Sequence, residues 1–131
     1  MKNLFRTAFF VALVTSLGLA GNASAQAVRG VAELGITKPV TKVEGKTVIT
    51  TMFVKNLSKG SISGLKVSEF WYDKDGNSAA GGTVQLRQPL AEGAVKTLTL
   101  KTRWTNKMDR NSYQFLHANG EIKTVVLAKI E

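Results

Sequence analysis

The chain has 131 residues with no cysteine, one histidine, and 18 Lys and Arg against 9 Asp and Glu, a formal net charge of +9. The missing cysteine excludes disulfides, thiolate metal sites, a cysteine nucleophile and a lipid-modified cysteine, and a lone histidine leaves any histidine-based metal site dependent on carboxylates or methionines. The basic excess favours anionic partners, which outside a cell are phosphorylated head groups, cell-wall polymers and acidic proteins rather than nucleic acid.

Lys2 and Arg6, the apolar run Ala8 to Ala20 and the small residues Ala23-Ser24-Ala25 read as an export signal cleaved near Gln26. The run is shorter than the roughly 20 apolar residues of a membrane span. It also breaks at Gly21 and Asn22, so no transmembrane segment is expected in the mature chain. A cysteine-free exported domain must rest on its apolar core, which fits a bacterial periplasm or exterior.

Residues 26–45 alternate glycines and Pro39 with a thin apolar pattern, and read as an irregular lead-in or a first strand. Residues 46–131 read as one β domain. Lys46 to Val54 is β-branched and apolar, as in a strand with at least one buried face. Asn56 to Gly60 turns, and Ile62 to Tyr72 returns with Leu65, Val67, Glu69 and Trp71 on one face and Lys66, Ser68, Phe70 and Tyr72 on the other. Asp73-Lys74-Asp75-Gly76-Asn77 closes a hairpin. Thr83 to Arg87 is the expected return strand, Pro89 to Gly93 another turn, and Val95 to Thr102 a strand with Leu98 and Leu100 inward. Asn119-Gly120, taken as a two-residue hairpin turn, pairs His117 with Ile122, Phe115 with Thr124 and Tyr113 with Val126 on a core face. No window of the mature chain sustains helical spacing. The expected architecture is an all-β, antiparallel, immunoglobulin-like sandwich of about seven strands.

The run Val54-Lys55-Asn56-Leu57-Ser58, then Leu65-Lys66-Val67, Trp71-Tyr72-Asp73 with Gly76-Asn77, and Pro89-Leu90 with Glu92-Gly93, resembles the FxLYD-type domain family of bacterial exported proteins. The resemblance covers about residues 46 to 102 and departs where Glu69 and Trp71 stand in place of the motif's Phe and Leu. It implies an immunoglobulin-like sandwich used as a binding or accessory module, with no catalytic residues to carry over.

Few residues point to chemistry. His117 reads as a structural histidine at a sheet rim. Ser112, His117 and Asp109 crowd one hairpin, with Ser112 on the opposite face from His117, which argues against a catalytic triad. Asp73-x-Asp75-x-Asn77 has the opening of a calcium loop, but Ser78 and Val84 stand where Gly and a bidentate Glu are required. No metal or cofactor is expected. Glu69 falls on the inward face, where a carboxylate needs compensation. It reads as a strand-end acid reaching water or Arg103, or as the polar point of an apolar ligand pocket beside Trp71. Phe70, Trp71 and Tyr72 cannot all enter one core, so exposed rings at Phe70, Tyr72 and Trp104 are candidates for recognition. The lysines are spread along the chain as a solvated surface, and the tightest basic cluster is Lys101, Arg103, Lys107 and Arg110.

The resulting expectation is an exported, non-enzymatic module that contacts a protein or anionic envelope component through an aromatic and basic surface. A small periplasmic hydrolase or metal-handling protein is the alternative of a different class. A strand-pairing assembly or chaperone-like component, with Ile122 to Ile130 as its free edge, is another.

Overall fold

A computed structural model describes residues 26–130, so the expected export signal lies outside the described residues. They form eight strands and no helix: β1 Ala32–Thr37, β2 Val40–Glu44, β3 Thr47–Asn56, β4 Lys66–Tyr72, β5 Ser78–Gln85, β6 Val95–Arg103, β7 Arg110–His117 and β8 Gly120–Leu127. The strands make one curled mixed sheet that bends into a half-barrel around a single core. Its hydrogen-bonded order is β2-β3-β1-β8-β7-β4-β5, with β6 on the far edge of β3.

The segment read as an irregular lead-in or a first strand holds two strands, β1 and β2, and it joins the two halves of the sheet. Both strands lie along one edge of β3, with Ile36 opposite Val54 and Val40 opposite Thr51, so one extra residue is accommodated around Lys38-Pro39. Proline has no N–H for a ladder, which suits it to this break. Phe53 N bridges the gap by donating to Thr37 Oγ1 at 2.9 Å. On its other edge β1 runs parallel to β8, from Ala32 opposite Ile122 to Thr37 opposite Leu127. The expectation of purely antiparallel pairing is corrected here, because a parallel neighbour requires distant sequence and leaves no local turn signal.

Alternation sets the core as expected for the central strands. Met52 and Val54 of β3, Val67 of β4, and Leu98 and Leu100 of β6 are buried against Leu34 and Ile36 of β1. Each such side chain contributes about 1.5–3 kcal/mol by leaving water. The curl brings β5 against β6 without a ladder between them. A β-carbon added at Gly82 would lie 2.6 Å from Thr102 Oγ1 and 2.9 Å from the Lys101 carbonyl oxygen, so glycine permits this approach.

Asn56, buried at the end of β3, fastens two loops. Its Nδ2 donates to the carbonyls of Gly60 and Leu90, both at 2.8 Å, while its Oδ1 accepts from Ser58 N at 2.8 Å. Gly60 N then donates to Glu92 Oε1 at 3.0 Å.

The last hairpin differs in register from the expected one. Leu116 pairs with Glu121 and His117 with Gly120, so Ala118 and Asn119 form the turn. Long-range bonds select this arrangement: Ala118 N donates to the Ser63 carbonyl at 2.8 Å, and Gly30 N to the Asn119 carbonyl at 2.9 Å. After these two pairs β8 leaves β7 for β1. Thr124 and Val126 therefore do not enter the core as expected, and Val126 is 72% exposed.

Candidate functional site

The outward face of β2, β3 and β6 gathers basic residues by register. Lys42, Ile49 and Lys101 form one cross-strand row, and Glu44, Thr47 and Arg103 form the next. Lys46, Thr47, Lys101, Thr102 and Arg103 line a shallow cleft there. Trp104 follows Arg103: its backbone N donates to the Lys46 carbonyl at 2.8 Å, and the residue is 44% exposed. Lys42 and Glu44 form a surface ion pair of 2.9 Å, which contributes little to stability.

The four-residue basic cluster expected from the sequence is divided. Lys101 and Arg103 share this cleft, whereas Lys107 lines another with Asp73, Asp75 and Asp109, whose charges offset its own. Arg110 opens β7 opposite Tyr72, with its guanidinium beside Gly76. Lys46 and Lys42 join the basic face and were missed, although the β2–β3 hairpin around Gly45 places both next to β3 once β2 is recognised as a strand.

The aromatic candidates are divided as well. Phe70 and Tyr72 project outward from β4, flanked by β5 and β7, whereas Trp104 follows β6. Phe70 is 37% exposed, and the half-buried Tyr72 accepts a long hydrogen bond from Ser112 Oγ at 3.5 Å. Trp71 points inward, and its Nε1 is buried with no hydrogen-bond partner among the described residues.

Glu69 shares that inward face, as its parity requires, but it reaches neither water nor Arg103. It is 0% exposed, while Arg103 lies on the outward face of β6. Neutral donors surround the carboxylate instead. Oε2 accepts from Thr50 Oγ1 at 2.8 Å, Tyr113 OH at 2.8 Å and Asn111 Nδ2 at 3.1 Å, and Oε1 from Thr102 Oγ1 at 3.4 Å. These donors come from β3, β7 and β6, so one side chain of β4 links both halves of the sheet. Charge-assisted hydrogen bonds of this kind compensate a buried carboxylate. Closed from solvent, the Glu69 carboxylate is an internal strut, while Trp71, on the same face of the strand, keeps part of its surface exposed.

Burial, the hydrogen bond to Glu69 and the Glu69 charge together push the Tyr113 phenol up to about 12. The folded state thus holds this proton more tightly than the unfolded chain. The associated stability is complete below pH about 10 and is lost as pH rises towards about 12. A phenolate absorbance titration should therefore contain a late step that disappears in Tyr113→Phe; an unchanged late step in that variant would contradict the assignment.

Residues that could suggest catalysis are otherwise engaged. His117 Nε2 lies 2.7 Å from the Gly30 carbonyl, and its Nδ1 accepts from Asn119 N at 3.4 Å. These two contacts assign the Nε2–H tautomer. Ser112 faces outward to Tyr72, so Ser112, His117 and Asp109 are not assembled. Asp73 Oδ1 accepts from Asp75 N and Asn77 N, both at 2.9 Å, which makes this segment a hydrogen-bonded turn. Among the described residues no three or more His, Asp or Glu side chains are placed to hold a metal ion. No helix there is long and apolar enough to cross a membrane. No protein-family model matches the chain, and no curated protein matches it.

Proposed function

We propose that the chain is an exported, non-enzymatic binding module of the bacterial cell envelope, similar to FxLYD-type domains, that holds a phosphate-bearing envelope component on its basic cleft. The observation that carries this reading is the convergence of Lys46, Lys101 and Arg103 on one cleft, with the exposed Trp104 next to Arg103 in the chain. Such a cleft offers three cations to anionic oxygens. Export is supported by the N-terminal sequence pattern. An immunoglobulin-like reading of the fold is supported by the pairings β6–β3–β1 and β5–β4–β7–β8, which give two facing halves joined where β1 meets β8.

The test compares the wild-type chain with the triple variant Lys46→Ala, Lys101→Ala, Arg103→Ala. Binding is measured to phosphatidylglycerol vesicles and to soluble polyphosphate. Capture should fall by roughly tenfold or more in the triple variant and decline with added salt, while Lys107→Ala, which sits among aspartates, should bind nearly as the wild type does. Loss on vesicles alone would identify a lipid head group, and loss on both a general phosphate site. Equal binding by wild type and triple variant on both probes would sink the proposal.

A further inference from the structure

We infer that the free edge of β2 is a docking site for an extended, acidic segment of a partner protein, added to the sheet as a further strand. This inference does not depend on the basic cleft, because it rests on the backbone edge of a different strand.

β2 is the strand whose every residue is exposed, and it pairs with β3 alone. The strand beside β1 on that side, β8, ends at Leu127 opposite Thr37, so the sheet steps back where β2 begins. Among the described residues, no backbone hydrogen bond beyond the β3 ladder reaches Val40–Glu44. An edge of this kind presents unpaired N–H and C=O groups that an incoming strand can satisfy. Side chains that cover a partner are in place too, because Val40 is 68% and Val43 54% exposed. The expected edge, Ile122 to Ile130, also keeps one side without a ladder, since β7 pairs only with Gly120 and Glu121 and β1 takes one side of Ile122 to Leu127, but β8 is partly buried along its length whereas β2 is exposed throughout.

Charge selects the occupant. Lys42 sits at the centre of the strand in a row with Ile49, where its 2.9 Å ion pair with Glu44 is on the surface, and Lys38 precedes the strand, so the edge stays basic without the cleft residues. A carboxylate on the added strand opposite Lys42 would extend that row with an attractive cross-strand pair. A second copy is disfavoured by the same residue. Antiparallel pairing of Val40–Glu44 with itself over its full length places Lys42 directly against its counterpart, and shifting the register to avoid this shortens the ladder. The edge is thus guarded against its own kind and open to an acid.

The test is an NMR titration of the full-length chain, in the form its host yields, with end-capped peptides of sequence Thr-Val-Glu-Val-Thr, Thr-Val-Lys-Val-Thr and Thr-Val-Glu-Pro-Thr. The first should shift the backbone amides of Val40 to Glu44 and slow their hydrogen exchange. The lysine peptide should bind roughly tenfold more weakly, since one cross-strand pair changes from attraction to repulsion. The proline peptide, unable to complete the ladder, should also weaken. In Lys42→Glu, a surface substitution checked by its melting temperature, the order of the glutamate and lysine peptides should reverse. The cleft triple variant should retain the glutamate peptide, which separates this site from the phosphate site. The inference is overturned if no β2 amide responds, if the glutamate and lysine peptides bind alike, or if the same amides shift with protein concentration alone, which would identify a second copy as the occupant.

Discussion

Glu69→Ala should lower the stability of the chain by about 3 kcal/mol or more, since it leaves several buried donors without their acceptor and adds a cavity. Thr50, Thr102, Tyr113 and Asn111 all converge on this carboxylate, and Thr50 is itself buried with 0% exposure. For a domain of this size such a loss corresponds to a fall in melting temperature of roughly 15 °C. Glu69→Gln keeps the shape and one acceptor oxygen, and should cost about half as much. Thermal and urea unfolding of the two variants separate these outcomes. If Glu69→Ala melted within a degree or two of the wild type, the carboxylate would not be the element that holds the two halves together.

Gly82→Val should be nearly as damaging for a steric reason. Its first side-chain carbon would press on Thr102 Oγ1 and on the Lys101 carbonyl, and the second of these is backbone that cannot rotate away. Separating β5 from β6 would also draw Thr102 from Glu69, so an overpacking cost of about 1–3 kcal/mol is joined by a weakened internal hydrogen bond. Gly93→Ala provides a control of opposite kind: there a β-carbon meets nothing within 4 Å, and only the positive φ of 77° opposes it. Hydrogen exchange across β5 and β6 should rise in Gly82→Val and stay low in Gly93→Ala. Unchanged protection in Gly82→Val would show that the two strands are not held by this contact.

Period-two alternation made β3, β4 and β6 legible, because Met52, Val67 and Leu98 each lie between outward residues and face one core. The inward position of Glu69 followed from the same parity. Its partners did not, since they arrive from strands far along the chain and no local pattern records which donors will meet. The parallel pairing of β1 with β8 was hidden for the same reason. In the last hairpin, local turn preference favoured Asn119-Gly120, but bonds from Gly30 and Ser63 moved the turn to Ala118-Asn119. The basic face was half visible: Lys101 and Arg103 are neighbours in sequence, whereas Lys46 joins them only through the hairpin that precedes β3. Lys107, grouped with them by proximity along the chain, is carried by the turn after Trp104 into a cleft of aspartates.

The parallel contact between β1 and β8 also decides how the molecule meets force. The first and last strands run side by side in the same direction, so tension on the two chain ends pulls them along their axes in opposite senses. Their six register pairs, Ala32 with Ile122 through Thr37 with Leu127, are then loaded together in shear rather than opened one at a time like a zip. Rupture under such a load is governed by the unfolding rate, and a ladder whose bonds must fail collectively keeps that rate low. A domain pulled from both sides of these two strands would thus resist stretching through β1 and β8, without a disulfide to brace it.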